Sequence, residues 1–243
     1  MTAFKRILFI SLCTFLLSAC DPAVIGGVIS TLPAAKPVLS NEDIVAGLKE
    51  ALKVGATNAV SFTSKENGFL NNNLIRIPFP EDAQKVKTWA VNNGLSGQVE
   101  KFEINLNRAA EKAAAEAVPV FVNAITSMTV QDAYNILHGE QDAATQYLRK
   151  TTGAELTQKF DPIVQQAIDE VKLTSFWEPI ATAYNTATIF TGGSKVNTDL
   201  KGYVNQKALD GLFYYVADEE KKIRTNPVAR VNEILQKVFG SLD

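Results

Sequence analysis

The stretch NQKALDGLFYYVADEEKKIRT, residues 205–225, decides the fold. Leu209, Leu212, Phe213, Val216 and Ile223 recur at steps of three and four, which lines them along one face of an α-helix. The run DEEKK, residues 218–222, solvates the other face, with acidic residues preceding basic ones at the spacing that favours helical pairs. Downstream, Asn226 and Pro227 are expected to cap a final helix with Val231, Leu235, Val238 and Phe239 inward, ended by Gly240.

Upstream the same period recurs. Ser40 and Asp43 have the spacing of a capping box, and Ile44, Leu48, Leu52, Ala56, Ala59 and Val60 follow at helical steps. NGFLNNNLIRIPFP (67–80) interrupts the pattern with consecutive asparagines and two prolines. Its piece from Leu74 to Phe79 is expected to form at most a short edge strand. Pro80, Glu81 and Asp82 open a second helix through Val86 and Ala90, stopping near Gly94.

Ser96 to Met128 reads as one long helix, rich in alanine, which Pro119 must kink or divide. Its seam covers about two heptads, short of a coiled coil, and reads as a core helix. Thr129 with Asp132, Thr152 with Glu155 and Ser175 with Glu178 are expected to start further short helices, and Asp161-Pro162 to restart one. Gly139 is placed to end the first of these. TATIFTGGSKVNTD (186–199) is expected to be a loop. With no repeat and no βαβ alternation, the fold class expected is all-α, a single multi-helix domain of about eight helices over residues 41–243, with at most one short edge strand or hairpin.

The chain has 243 residues, 46% of them hydrophobic and 21% charged, an ordinary globular balance. Lys5 and Arg6 begin an apolar run of eleven residues, Ile7 to Leu17. That pattern is a secretory signal, too short to span a bilayer, for which about 20 apolar residues are needed. Leu17-Ser18-Ala19-Cys20 resembles the lipobox of bacterial lipoproteins at every position. The resemblance implies cleavage before Cys20, a diacylglyceryl thioether on its sulfur and acylation of the new amino group, enough lipid for stable anchoring. Residues 1–19 are thus expected to be a lipoprotein signal peptide. Residues 20–40, with two adjacent glycines and three prolines, would be a tether unless Ala23 to Leu32 forms a short helix. Asp21 matches the residue that in enteric bacteria retains lipoproteins in the inner membrane; it favours that membrane and leaves the choice open.

Loss of residues 1–19 removes two of the 24 basic residues, leaving 22 against 26 acidic ones, a net charge of −4. With no basic cluster, nucleic acid is not an expected partner. Cys13 would be discarded and Cys20 alkylated, so the mature chain would carry no thiol.

His138 is the only histidine. It sits before Gly139 where a partly cationic side chain complements a helix C-terminus, so HGEQD (138–142) reads as a helix end rather than a metal site. TGGSK (191–195) lacks the length and following helix of a phosphate loop and reads as a turn. An enzyme would have to use His138 with Asp210 or Glu219, and no catalytic constellation, metal site or cofactor is expected. Trp89, Phe176, Trp177, Tyr214 and Tyr215 read mainly as core; because Tyr214 and Tyr215 are adjacent, at least one must approach the surface.

The blocks LKEALKVGATNAV, GFLNN, IRIPFPED, MTVQDAYNIL, KALDGLFYYVADEEKKIR and NPVAR together resemble the bacterial family called domain of unknown function 4197, from about Leu48 to Phe239. The resemblance implies a single, mainly helical envelope domain and transfers no catalytic residue. Gly68, Phe69, Asn71, Asp210, Arg224 and Arg230 are accordingly the candidate interaction surface. The expected function is a lipid-anchored, periplasm-facing module that binds another envelope protein or scaffolds the envelope; the alternative is a carrier or sensor enclosing an apolar small molecule.

Overall fold

The computed structural model describes residues 40–81, 84–170, 173–191, 199–230 and 232–240. Residues 1–39, on which the signal peptide, Cys20 and nearly all of the tether fall, lie outside the described residues. The described fold is all-α: α1 (Asn41–Ser64), α2 (Gln84–Asn92), α3 (Ser96–Ala114), α4 (Ala117–Thr126), α5 (Val130–Leu137), α6 (Ala143–Glu170), α7 (Leu173–Thr191), α8 (Leu200–Thr225), a 3₁₀ turn (Pro227–Ala229) and α9 (Glu233–Gly240). At the centre α8 packs against α1, α3 and α6, and α3 also touches α1 and α6. Around this group α4 and α5 each bridge α1 and α6, α9 lies on α1, and α2 and α7 cover α3.

The alanines of α3 do more than favour helix. Ala109, Ala110, Ala113 and Ala114 are all fully buried, and side chains this small let several helices approach one axis closely. Phe79, Phe102 and Trp177 fill the adjacent space, with ring centroids 4.9–5.5 Å apart. Two of the four predicted caps form as capping boxes, Ser40 with Asp43 and Thr129 with Asp132.

Several predicted boundaries move. The long helix is divided as Pro119 requires: the break falls at Ala115–Glu116, where the Ala115 carbonyl would have taken the missing N–H four residues on, and Pro119 lies in the first turn of α4. Thr152 starts no helix: it is buried inside α6, its hydroxyl donating to the Leu148 carbonyl at 2.6 Å. Pro162 likewise lies within α6 and restarts nothing. α7 begins at Leu173, before Ser175, and runs to Thr191, so the first six residues of the predicted loop are helical while 192–198 lie outside the described residues. Asn226 caps only the 3₁₀ turn, accepting from the Val228 amide at 3.0 Å; the Asn232 side chain takes the equivalent place for α9, accepting from the Leu235 amide at 3.0 Å.

No strand occurs among the described residues, and Leu74 to Phe79 is irregular. Its backbone nevertheless has a partner. The buried Asn107 carboxamide accepts from the Ile77 amide at 2.8 Å and donates to the Ile77 carbonyl at 2.9 Å. One side chain thus supplies both bonds that a neighbouring strand would have made, which satisfies a buried peptide without a sheet.

Candidate functional site

Helix ends leave unpaired amides and carbonyls, and this protein satisfies several with side chains from distant helices. The buried Glu220 on α8 accepts from the Ala144 and Thr145 amides at 3.0 and 2.8 Å and from the Thr145 hydroxyl at 2.7 Å, closing the N-terminus of α6. One turn on, Arg224 pairs with Glu220 at 2.9 Å and donates to the Ile136 carbonyl at 2.8 Å and the Leu137 carbonyl at 3.3 Å, closing the C-terminus of α5. Anion at one dipole's positive end and cation at another's negative end are both favourable placements. Arg230 closes α8 itself, donating to the Ile223 and Arg224 carbonyls at 3.2 and 3.1 Å.

These contacts correct the sequence reading. Arg230 is 3% exposed and the Arg224 side chain 11%; neither offers an interaction surface, because their guanidinium groups are spent on helix carbonyls. Glu220 is likewise not part of the solvated DEEKK face, whereas Lys221 and Lys222 are exposed. Phe69 is fully buried and Gly68 is buried beside it. Asp210 is half-buried, accepting from Arg149 at 3.2 Å and Gln206 at 3.1 Å. Of the six candidates only Asn71 is exposed.

The structure does bring two of the singled-out blocks together. The Phe69 ring rests on Gly211 of α8, where an added Cβ would lie 2.5 Å from ring carbon Cε1. A Cβ on Gly68 would lie 2.6–2.9 Å from three carbonyl oxygens at the end of α1, so no larger residue fits there without moving backbone. Glu111 of α3 holds the same loop from below, accepting from the Phe69 and Leu70 amides at 3.1 and 3.2 Å while Arg108 pairs with its other oxygen at 2.6 Å. Arg108 also binds the Asn67 side chain at 3.0 Å, and Asn67 takes φ +66°, a conformation asparagine tolerates.

Anchored so, the loop, the end of α1 and Tyr215 of α8 line an open groove of about 540 Å³. Tyr215 stacks on Phe62 with ring centroids 4.3 Å apart, Lys65 sits 4.0 Å above the Phe62 ring, and Asn72 donates to the Tyr215 hydroxyl. Leu74 projects at the mouth with 68% of its surface exposed. Among the described residues, Lys65 is the single charged one lining the groove, and no carboxylate, imidazole or thiol lines it. The tyrosine pair behaves as its adjacency requires, Tyr214 exposed and Tyr215 half-buried in the groove wall.

Elsewhere, Trp177 belongs to the core, and Trp89 is half-buried beside α3; the Phe176 side chain lies outside the described residues. His138 is exposed at the end of α5, its Nδ1 3.0 Å from the Tyr134 carbonyl and its ring on that of Tyr134. Asp210 and Glu219 are engaged with Arg149 and with Asn58 and Lys222, not with His138. A small apolar pocket between α1, α8 and α9, lined by Leu52, Val216 and Phe239 among others, measures about 20 Å³, room for one water. No single described helix is long and apolar enough to cross a membrane.

The family model described as "Protein of unknown function (DUF4197)" matches residues 38–240. The chain belongs to that family. For this DUF4197 chain, no curated protein and no solved structure matches. The match spans α1 to α9, so the groove loop, the α8 helix beneath it and the clamp at Glu220 and Arg224 all lie within the family region.

Proposed function

We propose that this DUF4197 protein is a lipid-anchored, periplasm-facing module of the bacterial envelope that binds another envelope protein through the groove at Phe62, Asn71, Leu74 and Tyr215. The groove carries the reading: about 540 Å³, open, rimmed by an exposed leucine and two aromatic rings, with Lys65 as the one charged group among its described lining residues. Cavities of this size belong to recognition sites, and this set of side chains favours binding over catalysis.

The anchoring rests on Lys5, Arg6 and the sequence Leu17 to Cys20, with Asp21 favouring the inner membrane. The groove lies at the C-terminal end of α1.

The test is photo-crosslinking in the native host, with the reactive residue placed at Leu74 or, as control, at the exposed Val130 on α5. A discrete envelope protein captured at Leu74 and not at Val130 supports the reading. No adduct at Leu74, or intact-mass analysis showing an unmodified Cys20 thiol, overturns it.

A further inference from the structure

We infer that the occupant of the groove is an extended segment of polypeptide, held through its backbone by the carboxamides of Asn71 and Asn73; this rests on the docking reading above and specifies what docks. The mode is already present inside the molecule. Asn107 grips an extended, irregular segment by pairing with both the amide and the carbonyl of Ile77. A carboxamide has the same donor and acceptor pair as a peptide bond, so it can read a backbone irrespective of side chains.

The groove presents the same groups. Asn72 is spent as a strut, donating to Tyr215 and accepting from the Leu74 amide at 3.0 Å. Asn71 and Asn73 flank it, both exposed, and neither side chain makes a hydrogen bond to another described residue. Both sit in hydrogen-bonded turn backbone along the groove lining. The strut holds their backbone still, so a guest does not have to order the loop, and that lowers the entropic cost of binding.

The aromatic rings favour a peptide over a sugar. Phe62 already lies between Tyr215 on one side and the Lys65 ammonium on the other, which leaves ring edges rather than a free flat platform. Edges and the exposed Leu74 suit apolar side chains of an extended segment. Lys65, as the single charged lining residue, suits a segment that is neutral or mildly acidic.

The test uses the purified full-length chain and a phage-displayed library of random 12-residue peptides. The expected result is a set of binders with weak sequence consensus. Their affinity should fall about tenfold in the N71A/N73A double variant, the loss of two carboxamide pairings, with the thermal unfolding midpoint unchanged. N-methylation of one backbone amide in a selected peptide should cost a similar factor. Chitotetraose serves as the glycan probe, read by NMR of the Asn71 and Asn73 side-chain amides. The inference is overturned if no peptide is selected, if binding is indifferent to N71A/N73A and to N-methylation, or if chitotetraose occupies the groove instead. Partner capture at Leu74 in the cell that survives N71A/N73A would leave the docking reading standing and remove the backbone-grip assignment.

Discussion

Replacing Glu220 tests whether α8 locks the ends of two other helices or merely carries an ion pair. In E220Q the side chain keeps its shape but loses its charge, and its amide nitrogen becomes a donor facing the Ala144 or Thr145 amide, both of which need an acceptor. Arg224, with 11% of its side chain exposed, is left without its carboxylate. Removing one partner of a buried pair costs about 3 kcal/mol or somewhat more, which lowers the melting temperature by roughly 6–12 °C in a domain of this size. The decisive variant is the double substitution E220L/R224M. For an ordinary buried ion pair, apolar replacement of both partners is often neutral or stabilising. Here it also leaves the amides of Ala144 and Thr145 and the carbonyls of Ile136 and Leu137 without partners, so a deficit of about 2 kcal/mol should persist, about the cost of one lost cap at each end. Urea unfolding with a common slope reads both values, and hydrogen exchange should rise first in the opening turn of α6. A double variant within about 0.5 kcal/mol of the parent, the size of an ordinary surface change, would refute the capping account.

Asn107→Leu removes both partners of the Ile77 peptide and should cost about 2–4 kcal/mol in urea unfolding, one to two unsatisfied buried groups. Gly211→Ala drives a methyl to 2.5 Å from the Phe69 ring and should cost about 1–3 kcal/mol as overpacking; because Phe69 neighbours the groove loop, partner capture at Leu74 should weaken in parallel. Hydrogen bonds from the Thr129 hydroxyl and then its backbone amide hold the Asp132 carboxyl below its ordinary value of 3.8. A lowered folded pKa adds stability above the unfolded value, and this is lost as pH falls through the folded one. The stability difference between the parent and T129A should therefore shrink on acidification below about pH 4, and the NMR titration midpoint of Asp132 should rise in T129A, part of the way to its ordinary value because the backbone amide still donates.

Periodicity and local caps made the helices legible wherever the controlling contact lies within a few residues, as at Ser40 with Asp43 and Thr129 with Asp132. They failed where the control is remote. α6 starts at Ala143 under the influence of Glu220, and its interior Thr152, which has the spacing of a cap, bonds back to Leu148 instead. Leu74 to Phe79 looked like a strand because it is extended and partly apolar, but its partner is an asparagine on α3, and no pattern in the segment itself announces that. The candidate site was half legible. GFLN and the Asp210-Gly211 pair do converge, yet Phe69 contributes from the interior, and the groove's exposed groups are Asn71, Asn73 and Leu74. Two signals for the buried polar groups were present: Glu220 and Arg224 stand one turn apart on a helix with an apolar face, and Asn107 and Glu111 stand one turn apart among buried alanines.

The bonds from α8 to the middle of the chain are separated by 76 residues at Ala144 and 88 at Ile136. The ends of α5 and α6 therefore gain these partners only once the C-terminal part of the polypeptide has been made, so that the last helix but one completes two that precede it in the chain.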